Sequence, residues 1–405
     1  MLRCLMIGVL SALAGAGFAE AQTTKSWIGS WAAAPYAVGR GEPFAGRTLR
    51  QVVRLSAGGS QVRLRLSNEF GSSPLTVGAA HVALADADGA VLPGTDRTVT
   101  FSGAESAVIG PGAPLISDPV DLAALPLARL VISLFLPAAA GPCTCHGAGL
   151  ATGYLSAPGD FTGAEAFTPD STFTVRPFLT GVDVSASAGG QTIVALGDSL
   201  TDGVSSTRDA DRRWPDRLAE RLATRGGRPA LGVIDLGIGG NQVLAEHTGP
   251  SALARFDRDV LAAPGAAYLI LFEGINDLGF EPKPPADAAP EPAPAPSPTA
   301  LAVMAADRQI IVRAHSHGIK VFGATLTPYQ GSFLYTAQGE IDRQAINAWI
   351  RASGAFDGVI DFDRAWSDPD NPGRLLPAFD AGDHLHGDDA GYRALGDAVG
   401  LSLFR

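Results

Sequence analysis

Positive charge and cysteine are both scarce in this sequence. Its 405 residues include three cysteines, and 30 Lys and Arg stand against 41 Asp and Glu, for a formal net charge of −11. No basic run is present that could neutralise nucleic-acid phosphates or attach the chain to an anionic membrane, so we expect neither as a partner. Hydrophobic residues make up 46% and charged residues 18%, which is typical of a folded protein rather than a disordered one.

Long apolar runs are also absent beyond the N-terminus. There, an apolar run from Cys4 to Phe18 follows the positive charge of Arg3 and ends at Ala19-Glu20-Ala21, which fits an A-x-A cleavage site. The run is short for a membrane span. Residues 1–21 are therefore predicted to be a signal peptide, and the mature protein is expected to be secreted or periplasmic, without stable membrane association.

Two cysteines remain after such a cleavage, Cys143 and Cys145. They could pair in an oxidising compartment, although a C-x-C ring is small, or they could stay as two thiols. Two ligands are too few for a zinc site, so no metal is predicted there.

The pattern of the remaining chain divides it into two unlike parts. From residue 22 to 187, short runs rich in β-branched and apolar residues are separated by turn signals; examples are Gln51–Leu55, Gln61–Leu66 and Leu130–Leu136. The second of these runs alternates strictly between polar and apolar residues, which indicates a strand with one wet face. This part is predicted to be a β-sandwich or jelly-roll domain.

From residue 188 to 405 the pattern changes to strands alternating with helices. The predicted strands are Thr192–Leu196, Leu231–Leu236, Ala266–Phe272, Lys320–Thr325 and Gly358–Phe362, and the predicted helices are Trp214–Thr224, Ser251–Ala262, Thr299–His317, Gly339–Ser353 and Asp388–Leu403. This alternation predicts a flavodoxin-like α/β three-layer sandwich, with a parallel five-stranded sheet between helices. Residues 281–298 hold eight prolines and are predicted to be a surface insertion in this domain.

Four short polar blocks lie next to the predicted strands and helices of this region. Three follow successive predicted strands, and the fourth precedes the last helix; they are Gly197-Asp198-Ser199-Leu200, Ile238-Gly239-Gly240-Asn241, Gly274-Ile275-Asn276-Asp277 and the segment 383–386. The carboxyl ends of parallel strands meet at one edge of a sheet, so we expect the blocks to lie together. Serine, histidine with a preceding aspartate, a glycine N–H and an asparagine amide are the groups that acyl transfer requires.

The order of these blocks resembles that of the SGNH, or GDSL-type, hydrolase superfamily. The resemblance covers roughly residues 190–403 and implies that Ser199 is the nucleophile. It also implies that His386 is the base and that Asp383 orients its ring. One departure is visible, because the family often has proline after the catalytic histidine, where this chain has Gly387.

The resemblance further implies an oxyanion hole made of the Ser199 N–H, the Gly240 N–H and the Asn276 side chain, with Gly239 one place away as the alternative glycine. It likens the β-rich part to the N-terminal domains of some exported members. No cofactor is expected. No metal is expected either, because Asp383 and its neighbouring histidines would leave a fourth ligand unexplained.

The function that follows is a secreted serine esterase that hydrolyses short acyl or acetyl esters through an acyl-enzyme. One alternative is a carbohydrate O-acetylesterase that acts on polysaccharide, and another is a glycosidase that uses Glu273 and Asp277 as paired carboxylates. An alternative of a different class is an exported glycan-binding protein whose β domain is the active part. An α/β-hydrolase elbow, G-x-S-x-G, is excluded because Thr201 stands where the second glycine is needed.

Overall fold

The computed structural model describes residues 26–38, 44–139, 141–225, 229–280 and 295–405. The predicted signal peptide and most of the proline-rich segment 281–298 lie outside these ranges. Within them, no helix combines the length and apolar content that a membrane span requires.

The β region, residues 26–187, is built of antiparallel strands. In chain order these are β1 (Ser26–Ala32), β2 (Tyr36–Val38), β3 (Arg47–Arg54), β4 (Val62–Ser67), β5 (Leu75–Val77), β6 (Ala79–Ala85), β7 (Arg97–Thr98), β8 (Ala107–Ile109), β9 (Pro114–Ile116), β10 (Arg129–Leu136), β11 (Cys143–His146), β12 (Gly153–Pro158), β13 (Ser171–Phe173), β14 (Arg176–Pro177) and β15 (Leu179–Ala186). A four-stranded sheet, β1-β15-β4-β9, and a six-stranded sheet, β13-β12-β3-β10-β6-β7, share one hydrophobic core. The predicted β-rich part is therefore present.

The β region also contains two smaller sheets, one of which is the pair β5-β8. Strands β14, β11 and β2 form a separate three-stranded sheet, and within β11 Cys143 and Cys145 form a disulfide. In β4, Val62 and Leu64 are fully buried while Arg63 and Arg65 stay partly exposed, which is the alternation expected from the sequence.

The α/β region, residues 188–405, alternates strands and helices. Its elements are β16 (Gln191–Gly197), α1 (Ser199–Asp202), α2 (Trp214–Arg225), β17 (Leu231–Gly237), α3 (Ala252–Phe256), β18 (Ala266–Phe272), α4 (Ile275–Gly279), α5 (Pro298–Ser316), β19 (Lys320–Ala324), α6 (Ala337–Ala352), β20 (Gly358–Ile360), α7 (Phe362–Trp366), β21 (Ser367–Asp368), β22 (Asn371–Leu375) and α8 (Asp389–Ala398). The sheet order is β17-β16-β18-β19-β20, and every neighbouring pair is parallel. In chain order this reads 2-1-3-4-5, the flavodoxin-like arrangement, so the predicted fold class is confirmed.

Helices cover both faces of this sheet, because both faces of its strands are apolar. On β16, Ile193 and Ala195 belong to one hydrophobic core, whereas Val194 and Leu196 belong to another on the opposite face. A strand buried on both faces reads as a continuous apolar run. The strand order reverses between β16 and β18, so the crevice between their carboxyl ends is where a ligand is expected.

Several details of the α/β region differ from the sequence-based predictions. The strand predicted over Gly358–Phe362 ends at Ile360, and Phe362 begins helix α7. The helix predicted over Ser251–Ala262 is α-helical only to Phe256, and the next turn, Asp257–Leu261, is a π-helix. The closing helix ends at Ala398 rather than Leu403, because the backbone turns to an extended conformation at Val399. The small hairpin of β21 and β22 was not predicted, since its residues carry no apolar alternation.

The β region and the α/β region meet in a close seam. The backbone N–H of Gly29, in β1, lies 2.9 Å from Thr192 Oγ1 and 3.1 Å from the carbonyl oxygen of Pro264. A methyl group on Gly29 would lie 3.0 Å from Ile234 Cγ2, and one on Gly232 would overlap the carbonyl oxygen of Gly29. Only glycine allows the two backbones to approach this closely.

Candidate active site

The turn after β16 presents Ser199 at the carboxyl edge of the sheet. Gly197 ends the strand, and any side chain there would overlap the carbonyl oxygen of Phe272 on the neighbouring strand. Asp198 caps helix α1, since its Oδ1 accepts a hydrogen bond from the Leu200 N–H at 2.9 Å. Burial raises the pKa of Asp198 to about 7. Ser199 is therefore the first residue of a short helix whose start is fixed by its own neighbours.

The structure brings Ser199, His386 and Asp383 together. The distance from His386 Nε2 to Ser199 Oγ is 2.9 Å, and that from His386 Nδ1 to Asp383 Oδ2 is 2.6 Å. With a neutral ring, Nδ1–H donates to the carboxylate and Nε2 accepts from the serine hydroxyl.

Asp383 is held by its own loop as well as by the histidine. Its second oxygen, Oδ1, accepts hydrogen bonds from the Leu385 and His386 backbone N–H groups at 3.0 and 2.8 Å. Partial burial raises the pKa of Asp383, but the hydrogen bonds from His386 and the backbone outweigh that effect, so the pKa lies below its usual 3.8. The carboxylate is thus charged and fixed in orientation.

The glycine block after β17 lies beside the serine. A methyl group on Gly239 would be 3.9 Å from Ser199 Cβ, whereas one on Gly240 would be 2.8 Å from Thr248 Oγ1. Gly240 has a φ of 76°, and among the described residues its backbone N–H makes no hydrogen bond. The Gly240 N–H is therefore free to bind a substrate atom.

Asn276 lies across the switch point from Ser199, on helix α4 after β18. Its Nδ2 donates to the carbonyl oxygen of Asn241 at 2.9 Å and lies 3.3 Å from Asp198 Oδ2. The first contact fixes the side-chain amide, and the second is long for a hydrogen bond. One amide hydrogen is thus held only weakly, beside the turn that carries Ser199.

Residues 195–394 match the sequence model of the GDSL-like Lipase/Acylhydrolase family. This part of the chain is a GDSL-like lipase/acylhydrolase domain. The resemblance found in the sequence is confirmed for it.

Solved structures show similarity over about half of this chain. Three of them are a member of the lipolytic protein G-D-S-L family from Veillonella parvula (17% identity, 51% of this chain and 95% of that chain, TM-score 0.38), the lipase/acylhydrolase from Enterococcus faecalis (19%, 51% and 92%, TM-score 0.38) and the acetyl xylan esterase AlAXEase (22%, 51% and 96%, TM-score 0.37). A comparison with curated protein sequences finds no match.

The buried pair Arg255 and Asp259 fixes the ends of two strands in the GDSL-like domain. Neither residue was predicted from the sequence. Arg255 donates from Nη1 to the Leu236 carbonyl at 2.6 Å and from Nη2 to the Gly197 carbonyl at 2.8 Å, so it joins the ends of β17 and β16. Its Nε donates to Asn241 Oδ1 at 3.0 Å, and Asp259 balances its charge. The spacing of Arg255 and Asp259, four residues apart on a helix, is the one sequence signal of this arrangement.

The two carboxyl groups that flank Asn276 in the GDSL-like domain, those of Glu273 and Asp277, are both buried. Asp277 accepts hydrogen bonds from the backbone N–H groups of Val243 and Leu244 at 2.8 and 3.0 Å, and burial raises its pKa to about 6. Glu273 is buried, and neither of its oxygens has a hydrogen-bond partner among the described residues. Burial and the nearby charge of Asp198 raise the pKa of Glu273 well above its usual value. A glycosidase pair needs two carboxyl groups open to a sugar, and these are not.

His384 does not join the serine, although it stands two residues before His386. Its Nδ1 lies 2.6 Å from Asp380 Oδ2, and its side chain is 54% exposed. Over the ranges that the structure describes, no group of three or more His, Cys, Asp or Glu side chains is arranged to hold a metal ion.

Proposed function

We propose that the chain is a serine esterase that hydrolyses carboxylic esters of short acyl groups through an acyl-enzyme on Ser199. The observation that carries this proposal is the hydrogen-bonded series from Ser199 Oγ to His386 to Asp383, with distances of 2.9 and 2.6 Å. His386 Nε2 takes the proton as Ser199 Oγ attacks the acyl carbon, and then returns it to the leaving alcohol. Water activated by His386 in the same way releases the acid and regenerates Ser199.

The negative charge of the tetrahedral intermediate would be met by three donors. These are the backbone N–H of Ser199, the N–H of Gly240, which makes no hydrogen bond within the part of the chain that the structure describes, and the Nδ2–H of Asn276. The 3.3 Å contact from Asn276 to Asp198 is weaker than an oxyanion contact would be, so an arriving oxyanion can displace it. Asp383 would keep the His386 proton on Nδ1 and stabilise the imidazolium that forms.

A polysaccharide acetyl ester is the alternative substrate within this proposal, and export through the predicted signal peptide 1–21 would bring the enzyme to it. A glycan-binding role for the β region has less support, because that role needs exposed aromatic platforms. All five tryptophans lie within the described ranges and none is exposed. Arginine side chains lie over three of them: Trp27 under Arg63, Trp31 under Arg176 and Trp349 under Arg308.

The test is a series of p-nitrophenyl esters from acetate to laurate, assayed beside acetylated xylan. We expect the highest kcat/KM on the shortest acyl groups and stoichiometric labelling of Ser199 by a fluorophosphonate. Ser199→Ala is the control, and it should lose both activity and labelling. Ester hydrolysis by Ser199→Ala at a rate near that of the unmodified enzyme would refute the mechanism, and a preference for laurate would refute the short-acyl specificity.

A further inference from the structure

A histidine of the β region contacts the helix that carries Ser199. His146 is the last residue of β11 and is 4% exposed. Its Nδ1 lies 2.9 Å from the carbonyl oxygen of Ala34, and its Nε2 lies 3.0 Å from Asp202 Oδ1. Asp202 is the last residue of α1, three positions after the serine.

Both ring nitrogens of His146 therefore face acceptors. A carbonyl oxygen can only accept, and a carboxylate also accepts, so the doubly protonated ring satisfies both contacts. Burial alone lowers the pKa of His146, but the charge and hydrogen bond of Asp202 and the bond to Ala34 outweigh burial and the opposing charge of Arg213, so the pKa is raised. The two hydrogen-bond contacts thus favour a ring that is protonated on both nitrogens. The ring of Tyr36 packs edge-on against His146, with centroids 6.0 Å apart.

The Asp202 carboxylate lies between this histidine and the proposed oxyanion hole. Its Oδ2 is buried without a hydrogen-bond partner among the described residues. A methyl group on Gly239 would be 3.9 Å from Asp202 Oδ2 and 3.9 Å from Ser199 Cβ. The carboxylate therefore lies near the glycine block, and a buried carboxylate that lost its bond to His146 would need another hydrogen-bond donor.

A second cation fixes the same residue from the backbone side. Arg213 Nε donates to the Asp202 carbonyl at 2.7 Å, and its Nη2 donates to the Gly149 carbonyl of the β region at 3.0 Å. The Asp202 side chain thus contacts the β region directly through His146, and the Asp202 backbone carbonyl is linked to it through Arg213.

We propose that His146 is a positioning residue of the active site, which holds helix α1 through Asp202 and keeps the Asp202 carboxylate away from the Gly239–Gly240 loop. The β region would then be part of the catalytic apparatus rather than an attached module. This inference rests on the proposed esterase function, because its effect is exerted on Ser199. A displacement of about 1 Å at a reacting atom can lower a rate about 100-fold, so a brace on α1 has a large effect available.

The test compares His146→Leu with His81→Leu in the full chain. His81 is a matched control, since its Nδ1 lies 2.7 Å from Asp96 Oδ2 and both residues belong to the β region. We expect His146→Leu to lower kcat and the rate of fluorophosphonate labelling of Ser199 by about 10- to 100-fold with KM nearly unchanged. His81→Leu should leave both rates within about twofold, because substitutions away from such features change little.

Three further variants, His146→Gln, Asp202→Asn and the double variant of both, keep the test decisive if His146→Leu does not fold. His146→Gln can still donate one hydrogen bond to Asp202 and should recover part of the activity. Asp202→Asn removes the charge that His146 is proposed to hold. His146→Gln should therefore lower kcat much less in the Asp202→Asn variant than in the unmodified enzyme. Equal labelling rates in the unmodified enzyme and a folded His146 variant would overturn this inference alone. Absence of labelling and activity in the unmodified enzyme would overturn the proposed function and this inference with it.

Discussion

Asp383→Asn should damage catalysis more than Asp383→Ala, although asparagine is the closer isostere. The Asn carbonyl oxygen would stay on the Leu385 and His386 N–H groups, so its NH₂ would face His386 Nδ1. That nitrogen must then accept, and the ring proton moves to Nε2, where it faces Ser199 and blocks proton transfer. We expect a fall in kcat of about 10⁴-fold for this wrong tautomer.

Asp383→Ala removes the negative charge of Asp383 and its hydrogen bond to His386 Nδ1. Asp383 has 42% of its side chain exposed, so solvent screens its pairing with the imidazolium. Between the dielectric of a protein surface and that of water, a charge pair about 4 Å apart is worth about 1 to 4 kcal/mol. The expected loss is therefore about 5- to 10³-fold, and water can take the vacated place.

The assay is kcat for p-nitrophenyl acetate, with active sites counted by fluorophosphonate titration. Asp380→Asn is the matched control on the same loop, because Asp380 accepts from two backbone N–H groups and pairs with His384 Nδ1 at 2.6 Å. It should retain activity within about threefold, as expected of a substitution that touches no reacting group. An Asp383→Asn enzyme as active as Asp383→Ala would refute the proposed tautomer role.

Three other predictions concern the oxyanion donors and the buried acids. Asn276→Ala should lower kcat by about 10²- to 10³-fold, or about 3 to 4 kcal/mol of barrier, with KM little changed in steady-state assays. Gly240→Ala should lower both kcat and Tm. The φ of 76° costs a residue with a side chain about 1 to 2 kcal/mol, and the added methyl group would be 2.8 Å from Thr248 Oγ1. An unchanged kcat would show that Gly240 is not part of the oxyanion hole. Burial raises the pKa of Asp307 from 3.8 to about 8, so the folded state holds this proton more tightly and stability falls as the pH rises through that interval. Asp307→Asn should flatten that fall in a pH series of melting curves, and an unchanged slope would contradict it.

The sequence predicts the α/β region well because its signals are local. Ala266–Phe272 is a strand with the predicted bounds. A continuous apolar run of this length that ends at a polar block is typical of a parallel strand buried on both faces. The π-helical turn at Asp257–Leu261 has no such signal, because it depends on how that segment packs.

Some residues of the candidate site can be predicted from the sequence in the same way, and others cannot. Ser199, His386 and Asp383 stand in short motifs with fixed spacing, so the sequence alone proposes them as candidates, and the structure brings them within hydrogen-bonding distance of one another. Arg255 reaches a carbonyl 58 residues away along the chain, and His146 meets Asp202 at a separation of 56. No periodicity or spacing encodes such contacts, because tertiary packing alone creates them.

The glycine seam between the two regions bears on how this protein can be re-engineered. Because Gly29 packs directly on Gly232, the two regions cannot rotate about the boundary near residue 188 without breaking this contact. An exchange of the β region for that of another hydrolase would have to preserve glycine at both positions and the same approach of β1 to β17. Recombination breakpoints placed in loops remote from the seam are therefore the ones expected to yield folded chimaeras.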